Sequence, residues 1–283
     1  MFKLLKKEYL GESIVKMVID APRIAAKVGP GQFVIIRSDE IGERIPLTVS
    51  DFDREKGTLT IICQAVGAST KRLAAIPEGE YISNVVGPLG KQTELDGLSR
   101  VAVIGGGLGC AIAYPQAKYL HAAGAKVDII AGFRSSELII LEDDMRAVSN
   151  SLTILTDDGS NGNKGLVTDG LRKNIENGAK YDAVIAIGPP IMMKFVSLLT
   201  KEFNIKTIVS MNPIMIDGTG MCGGCRLTVG GETKFACIDG PDFDGHLVDF
   251  DELIRRNSMY RGEEAVANEK AHKCNLDKLG GAN

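Results

Sequence analysis

Three of the six cysteines in this chain are clustered in a glycine-rich segment. Cys222, Cys225 and Cys237 follow the spacing C-x2-C-x11-C, and Asp217 precedes Cys222 by four intervening residues. Plant-type [2Fe–2S] sites use C-x4-C-x2-C with a distant fourth cysteine, so Asp217 stands where that pattern has its first thiolate. Zinc prefers two separated pairs and often a histidine, and the nearest candidate is His246. Soft thiolates from a tight loop favour iron–sulfur, with a three-cysteine zinc site or a metal-free loop as alternatives.

Two roles are open for Asp217. Its carboxylate is either the fourth ligand of the cluster or a turn residue beside a three-cysteine site that Thr219 or water completes. Cys63 and Cys110 lie alone in apolar or glycine-rich surroundings, so we interpret them as small buried hydrophobic residues. In a chain without a secretion signal, clustered cysteines indicate metal rather than disulfides.

A glycine turn provides a second kind of chemistry. The stretch RVAVIGGGLG, residues 100–109, is a buried strand followed by glycines and then by a helical pattern. Such glycines let the backbone approach a pyrophosphate, and the following helix N-terminus offers free N–H groups. Cys110 occupies the last position of a strict G-x-G-x-x-G, and packing alone is the alternative. A second loop, IGPP at residues 187–190, ends a later strand at the rim where nicotinamide would lie.

The first hundred residues contain two candidate flavin contacts. The segment RIPLTVSD places Arg44, Thr48 and Ser50 on one alternating strand, and VGASTKRL is a Gly/Ser/Thr turn that opens a short helix. An arginine at the start of this strand offers a fork of donors to a pyrophosphate, and the threonine hydroxyl suits a flavin ring edge. The alternative is a surface charge followed by an ordinary helix N-cap.

The elements that must position these residues fall into a β part and an α/β part. Short alternating strands between turns predict an antiparallel barrel at residues 1–98, which we expect to bind FAD. Strands alternating with helices predict a Rossmann-like parallel sheet at residues 99–212, which we expect to bind NAD(P). A small C-terminal iron–sulfur lobe is predicted at the [2Fe–2S] segment 213–250, and a polar tail with a possible partner contact at 251–283.

Composition excludes several function classes. A net charge of −3 and a pI near 5.8 give no electrostatic reason to expect nucleic acid or an anionic membrane as a partner. No apolar run approaches the roughly 20 residues that span a bilayer. The N-terminus lacks the apolar stretch of a secretion signal, so we expect a cytoplasmic protein.

The combined motifs PGQF, RIPLTVSD, VGAST, VGPLG and GGGLG resemble the ferredoxin–NADP reductase superfamily. With the cysteine segment, the order resembles two groups of electron-transfer subunits across about residues 1–250. One group serves dihydroorotate dehydrogenase, and the other is the small subunit of NADH-dependent reduced ferredoxin:NADP oxidoreductase. The first carries cysteine at the position of Asp217 and the second carries aspartate, so the second is favoured.

The resemblance implies a set of contacts for each cofactor. The implied FAD contacts are Arg44, Pro46, Leu47, Thr48, Val49, Gly67, Ser69 and Thr70. The implied nicotinamide-nucleotide contacts are Gly105, Gly106, Gly107, Leu108, Gly109, Arg134, Gly188 and Pro189. The predicted ligands of iron are Asp217, Cys222, Cys225 and Cys237.

The predicted function is electron transfer between cofactors, with no catalytic side chain. NAD(H) exchanges hydride with FAD, and FAD exchanges single electrons with the [2Fe–2S] cluster. NADP(H) is the less favoured nucleotide, although Arg134, Ser135 and Ser136 suit a 2′-phosphate. The resemblance implies a larger partner subunit with FAD and [4Fe–4S] centres, and ferredoxin indirectly. The alternatives are the dihydroorotate dehydrogenase electron-transfer subunit, a stand-alone NAD(P)H:ferredoxin reductase and a non-enzymatic redox sensor.

Overall fold

The computed structural model describes residues 1–280 of the chain, with side chains through residue 270. Its first part contains seven strands and two short helices. In chain order these are β1 (Phe2–Tyr9), β2 (Ile14–Asp20), α1 (Pro22–Ala25), β3 (Phe33–Arg37), β4 (Ile45–Asp53), β5 (Thr58–Gln64), α2 (Ala68–Ala74), β6 (Tyr81–Ile82) and β7 (Asn84–Leu89).

These strands form one antiparallel sheet in the order β6-β1-β2-β5-β4-β3-β7. Alternation explains why they pair around a common interior: Val15, Met17 and Ile19 of β2 are fully buried, whereas Lys16 between them is not. The two edge strands, β6 and β7, are separated in the chain only by Ser83, so the sheet curves round into a barrel. The predicted antiparallel barrel is confirmed.

The second part alternates strands and helices. In chain order these are β8 (Arg100–Gly106), α3 (Gly109–Ala122), β9 (Lys126–Phe133), a 3-10 turn (Ser136–Leu138), α4 (Glu142–Ala147), β10 (Ser151–Thr156), α5 (Val167–Glu176), β11 (Ala183–Ile187), α6 (Pro190–Glu202) and β12 (Lys206–Ser210). The parallel strands lie in the order β10-β9-β8-β11-β12. The predicted Rossmann-like sheet is therefore confirmed.

Strand order reverses between β8 and β11, and this reversal locates the ligand edge. The strands leave β8 in one direction through β9 and β10, and in the other direction through β11 and β12. Loops at the carboxyl ends of the two strands at such a switch point splay apart and leave a crevice. The glycine turn follows β8 and the Gly188–Pro189 loop follows β11, so both predicted nucleotide loops border this crevice.

The C-terminal part packs against the nucleotide sheet, which its sequence does not indicate. Its elements are β13 (Arg226–Val229), β14 (Glu232–Phe235), β15 (Asp242–Asp244), α7 (Phe250–Asn257) and α8 (Arg261–Gly280). β13 and β14 form a hairpin, but β15 pairs with β12 and so extends the nucleotide sheet. The segment predicted at 213–250 therefore forms the expected C-terminal lobe and also contributes an edge strand to the neighbouring sheet.

The predicted polar tail at 251–283 also needs correction at its start. Leu253 is 0 % exposed and Phe250 is 5 % exposed, because α7 packs on the apolar core beside α6 and β13. These apolar residues recur at helical spacing among charged ones, which conceals the buried face in the sequence. Side chains from residue 271 onward lie outside the described residues, so the predicted partner contact of the tail stays a prediction.

One continuous core links the three parts. The same buried cluster contains Phe33 of β3, Ile104 of β8, Val209 of β12 and Leu227 of β13. Among the described residues, no helix combines the length and the apolar character that crossing a bilayer requires.

Candidate functional site

A cavity of about 1160 Å³ lies between the barrel and the carboxyl edge of the nucleotide sheet. The barrel contributes Ile14, Thr48 and Gln64 to its wall, and the nucleotide sheet contributes the loops after its strands. A space of this size slightly exceeds the roughly 300–1,000 Å³ of typical ligand pockets, so it has room for a large cofactor. The cavity therefore brings the predicted flavin strand and the predicted nucleotide turn to one place.

The glycine turn after β8 forms one side of this cavity. Gly107 has φ +55°, and a Cβ placed on it would meet no atom within 4 Å. A Cβ on Gly109 would instead lie 2.2 Å from the Ile187 carbonyl oxygen, so Gly109 lets α3 pack against the β11 loop. Gly106, Gly107, Leu108 and Gly109 line the cavity, whereas Gly105 is not among its lining residues and packs against Cys110.

The far end of the cavity carries charge of both signs. Arg134, which follows β9, and Asp157, which follows β10, both line it. Backbone hydrogen bonds hold their loops together: the Asp157 N–H donates to the Phe133 carbonyl at 3.0 Å, and the Asp158 N–H donates to the Arg134 carbonyl at 3.2 Å. Sequence reasoning selected Arg134 and missed Asp157, although its position at the carboxyl end of a parallel strand was a usable signal.

Other predicted and unpredicted residues complete the wall. The predicted Gly188 and Pro189 line the cavity directly beside Gly106 of the glycine turn. Gln64 of β5 and Asn212 after β12 also line it, and neither was selected from the sequence. Their side chains come from strands that lie far apart in the chain, so local spacing carries no signal for them.

The remaining predicted flavin residues lie along the barrel, around the start of β4 and of α2. Ser69 Oγ donates a hydrogen bond to Glu43 Oε2 at 2.5 Å. Because Glu43 is the chain neighbour of Arg44, this bond places the arginine's loop against the opening turn of α2. Thr70 Oγ1 accepts from the Gly67 N–H at 3.0 Å and donates to the Gly67 carbonyl at 3.1 Å, which fixes that turn.

The chemistry of this donor set fits a pyrophosphate-bearing cofactor. The Arg44 side chain is exposed and forms no ion pair with a carboxylate within the described part of the chain. A guanidinium and a serine hydroxyl beside a helix start are groups that bind phosphate oxygens. β4 begins at Ile45, directly after Arg44, and passes through Thr48, so a single strand joins the phosphate-binding end to the cavity. Pro46, Leu47 and Val49 lie on the same strand.

Two of the three clustered cysteines lie side by side. Cys225 Sγ and Cys237 Sγ are 3.2 Å apart, and both residues are 2 % exposed. Burial and the neighbouring Cys225 thiol raise the pKa of Cys237 to about 12. Cys222 is exposed on the loop above them, and its Sγ accepts a hydrogen bond from the Gly224 N–H at 3.4 Å.

Asp217 holds the loop that carries Cys222. Its Oδ1 accepts from the Thr219 N–H at 2.8 Å, and its Oδ2 accepts from the Cys222 N–H at 2.8 Å. The Thr219 bond is the main reason that the pKa of Asp217 is lowered. The charge of Asp217 is also one of the causes that raise the pKa of Cys237, so the carboxylate lies near the buried thiol pair.

The donor set fits an iron–sulfur cluster better than a single metal ion. No three His, Cys, Asp or Glu groups of the described residues converge in the arrangement that holds one metal ion. The ligands of a [2Fe–2S] cluster are mainly thiolates, and they are divided between two iron atoms. Three cysteines of one short segment supply such thiolates here. His246 contacts Thr200 at 3.0 Å rather than the cysteines, which removes the histidine that a zinc site would favour.

Comparison with known proteins supports this assignment. A family model described as the iron-sulfur cluster binding domain of dihydroorotate dehydrogenase B matches residues 212–249. The dihydroorotate dehydrogenase B (NAD(+)), electron transfer subunit homolog of Thermotoga maritima is 44% identical, over 95% of this chain and 94% of that protein. The chain belongs to this family of electron-transfer subunits. The resemblance found in the motifs is thereby confirmed.

Two further relatives match over most of this chain. An uncharacterized protein in the adh 3′ region of Clostridium beijerinckii is 50% identical over 99% of this chain and 98% of its own length. The dihydroorotate dehydrogenase B electron transfer subunit of Clostridium acetobutylicum is 32% identical over 77% of this chain and 85% of its own length.

Solved structures agree with the family assignment. A chain of the NADH-dependent reduced ferredoxin-NADP oxidoreductase structure, which was solved for insights into flavin-based electron bifurcation, has a TM-score of 0.90 and 43% identity. The match covers 95% of this chain and 97% of that chain. The ferredoxin reductase in carbazole 1,9a-dioxygenase, at 16% identity and a TM-score of 0.60, shares the fold alone. The chain is thus an oxidoreductase electron-transfer subunit with the ferredoxin–NADP reductase fold.

Proposed function

We propose that this chain is the NAD(H)-linked flavoprotein subunit of a ferredoxin:NADP transhydrogenase. The observation that carries the proposal is the cavity that Thr48 of the barrel and the Gly106–Gly109 turn both line. This arrangement lets a flavin ring held by the barrel meet a nicotinamide held by the nucleotide sheet. The TM-score of 0.90 to a chain of the NADH-dependent reduced ferredoxin-NADP oxidoreductase supports the more specific role.

FAD, when bound, supplies the chemistry that couples two-electron hydride exchange to single-electron transfer. The residues of this chain bind and orient it. Arg44 and Ser69 hold the pyrophosphate, and Gly67 and Thr70 shape the turn that receives it. Pro46, Leu47, Thr48 and Val49 position the ring edge along β4.

The same cavity holds the nicotinamide nucleotide in this proposal. The backbone of Gly107 approaches the pyrophosphate, because no side chain stands between its Cα and the cavity. Asp157 favours NAD(H), since a carboxylate accepts hydrogen bonds from a ribose diol and repels a 2′-phosphate. Arg134 then contacts the adenosine part rather than a phosphate group.

Cys222, Cys225, Cys237 and Asp217 hold the [2Fe–2S] cluster in this proposal. Each Asp217 oxygen accepts one backbone hydrogen bond and keeps a further lone pair, so a ligand role is compatible with its role in the loop. A larger flavoprotein subunit with its own FAD and [4Fe–4S] centres receives the electrons, as the family resemblance implies.

A second candidate is the electron-transfer subunit of a dihydroorotate dehydrogenase. The family model that matches residues 212–249, the cysteine segment, favours it. The residue at position 217 favours the transhydrogenase instead. It is aspartate in this chain, whereas the resemblance implies cysteine at that position in the dihydroorotate dehydrogenase subunits.

Affinity purification of the native complex through a tag on this chain distinguishes the two candidates. The complex is assayed for NADP⁺ reduction by NADH plus reduced ferredoxin, and separately for NAD⁺ reduction by dihydroorotate. We expect the first activity without the second, together with a large iron–sulfur flavoprotein. Dihydroorotate oxidation by the purified complex would assign the second function, and full turnover by this chain alone would identify a stand-alone reductase.

A further inference from the structure

Two arginines contact the turn between the first two clustered cysteines. Arg226 Nη1 donates to the Gly223 carbonyl oxygen at 3.2 Å, and Arg256 Nη2 donates to the Gly224 carbonyl oxygen at 3.2 Å. Gly223 and Gly224 are the only residues between Cys222 and Cys225. Both carbonyl groups of this turn therefore accept a hydrogen bond from a cation.

Arg256 reaches the turn from a firmly anchored helix. It lies in the last turn of α7, whose Leu253 is 0 % exposed and whose Asp251 carboxylate accepts from Lys194 of α6 at 2.7 Å. The next residue, Asn257, donates through Nδ2 to the Asn212 carbonyl at 3.2 Å. Two successive residues of α7 thus hold the start of the cysteine segment and its central turn.

The charges of these two arginines are not neutralised locally. Within the part of the chain whose side chains the structure describes, neither guanidinium has a carboxylate within 4.0 Å. A hydrogen bond from an uncompensated cation polarises the peptide group that accepts it. The field of both charges therefore acts on the turn and on whatever the adjacent thiolates hold.

Arg226 is linked to the sulfur atom of Cys222 through one peptide group. The peptide group whose carbonyl belongs to Gly223 has the Gly224 N–H at its other end. That N–H donates to Cys222 Sγ at 3.4 Å. A cation on the carbonyl side strengthens the N–H as a donor, because the hydrogen bonds along the peptide are cooperative.

We propose that Arg226 and Arg256 are positioning residues that raise the reduction potential of the proposed iron–sulfur cluster. Reduction adds one negative charge to the cluster, so nearby cations and stronger hydrogen bonds to the ligand sulfurs favour the reduced form. The inference rests on the proposed function, since it requires that the cysteine segment hold a cluster.

The test is an EPR-monitored redox titration of the purified chain in variants that separate charge from contact. Arg256→Gln removes the charge, Arg256→Lys keeps the charge without the planar fork, and Arg226→Gln removes the second cation. Arg255→Gln is the matched control, because Arg255 is the neighbouring exposed arginine of α7 and its side chain has no hydrogen bond among the described residues.

Arg256→Gln is expected to disfavour the reduced cluster about tenfold, which for a one-electron couple lowers the midpoint potential by about 59 mV. Arg226→Gln should act in the same direction, Arg256→Lys should retain most of the parent potential, and Arg255→Gln should change it by less than half as much as Arg256→Gln. If Arg256→Gln loses the cluster, a lowered midpoint potential in Arg226→Gln still supports the proposal.

Three results would overturn it. One is an Arg256→Gln cluster at the parent potential, and another is a shift equal to that of Arg255→Gln. The third is loss of iron in both Arg256 variants, which would make the residue purely structural. Absence of iron from the parent chain would instead reject the proposed function, so the two failures are distinguishable.

Discussion

Thr93 Oγ1 donates a hydrogen bond to Asp242 Oδ2 at 2.5 Å across a sequence separation of 149 residues. Thr93 lies in the linker between the barrel and the nucleotide sheet, and Asp242 begins β15 of the C-terminal part. Gln116 of α3 also donates to Asp242 Oδ2, at 3.3 Å. One carboxyl group therefore joins the linker, the nucleotide domain and the cysteine-bearing part.

This carboxyl group predicts a pH dependence of stability. Burial raises the pKa of Asp242 from 3.8 to about 6, although hydrogen bonds from Ser210 and Thr93 oppose the shift. The folded chain thus binds a proton more tightly than the unfolded chain does. The corresponding stability is present below pH 4 and is lost as the pH rises towards and through about 6, by roughly 3 kcal/mol.

Asp242→Asn should remove this dependence, because an amide resembles the protonated acid and stays neutral. Thermal unfolding at pH 5 and pH 8 measures it. Between pH 5 and pH 8, the Tm of the parent should fall by more than the Tm of Asp242→Asn does. The control is Asp244→Asn, an exposed carboxylate of the same strand, which should follow the parent. A parent and an Asp242→Asn variant with the same pH profile would contradict the prediction.

Arg44 is expected to be the main anchor of the FAD pyrophosphate. Arg44→Ala removes a charged hydrogen-bond donor worth about 1.5–3 kcal/mol, so FAD affinity should fall by roughly tenfold to 150-fold. The flavin-to-protein ratio after gel filtration measures this loss. Arg23→Ala is the control, because Arg23 is exposed on α1 of the same domain. Stoichiometric FAD in Arg44→Ala would remove Arg44 from the flavin site.

Gly107 provides a test of the nucleotide site. Gly107→Val places a branched side chain in the open space that its missing Cβ leaves beside the cavity, so NADH should no longer bleach the flavin while FAD stays bound. Valine at φ +55° is also strained, and Gly124→Val controls for that strain. Gly124 has φ +85° and open space at the other end of α3. Native bleaching in Gly107→Val would show that the turn serves packing alone.

Asp217 can be tested for ligation and for loop stabilisation separately. Asp217→Cys completes the plant-type spacing, so a cluster should remain with a changed potential and changed EPR g-values. Asp217→Asn keeps one acceptor oxygen for the loop but loses the anionic charge, and Asp217→Ala loses both. If Asp217 binds iron, both should yield a labile cluster, measured as iron and sulfide content during gel filtration.

Variants of the three cysteines show how much iron and sulfide is lost when a ligand is removed, and the Asp217 variants are compared with them. Cys222→Ala, Cys225→Ala and Cys237→Ala should each lose the cluster. A parent EPR spectrum and potential in both Asp217→Cys and Asp217→Asn would assign the aspartate to the turn and place the fourth ligand elsewhere.

Local patterns predicted the parts of the fold whose signal is local. The run VAVIGGGLG predicts a strand, a turn and the start of a helix. Its continuous apolar residues and its glycines all lie within ten residues, so the signal is local. β1 has only a weak sequence signal, since the lysines of FKLLKKEY interrupt its alternation and only Leu4 among its residues is fully buried.

Contacts that join distant segments were not predictable in this way. Asp157, Gln64 and Asn212 reach the cavity from different strands, and their roles depend on strand order rather than on spacing. Arg256 contacts Gly224 across 32 residues, and nothing around RRN in the sequence distinguishes it from Arg255. The buried face of α7 was missed because only two apolar residues mark it.

The most direct test of the account is an anaerobic NADH titration of the purified chain. Visible absorption follows the flavin, low-temperature EPR follows the cluster, and chemical analysis gives iron and inorganic sulfide. We expect one FAD per chain, iron and sulfide in equal amounts, loss of the flavin absorbance on NADH addition and the appearance of a reduced [2Fe–2S] signal. A chain that holds no iron, or a bound flavin that NADH leaves oxidised, would contradict it.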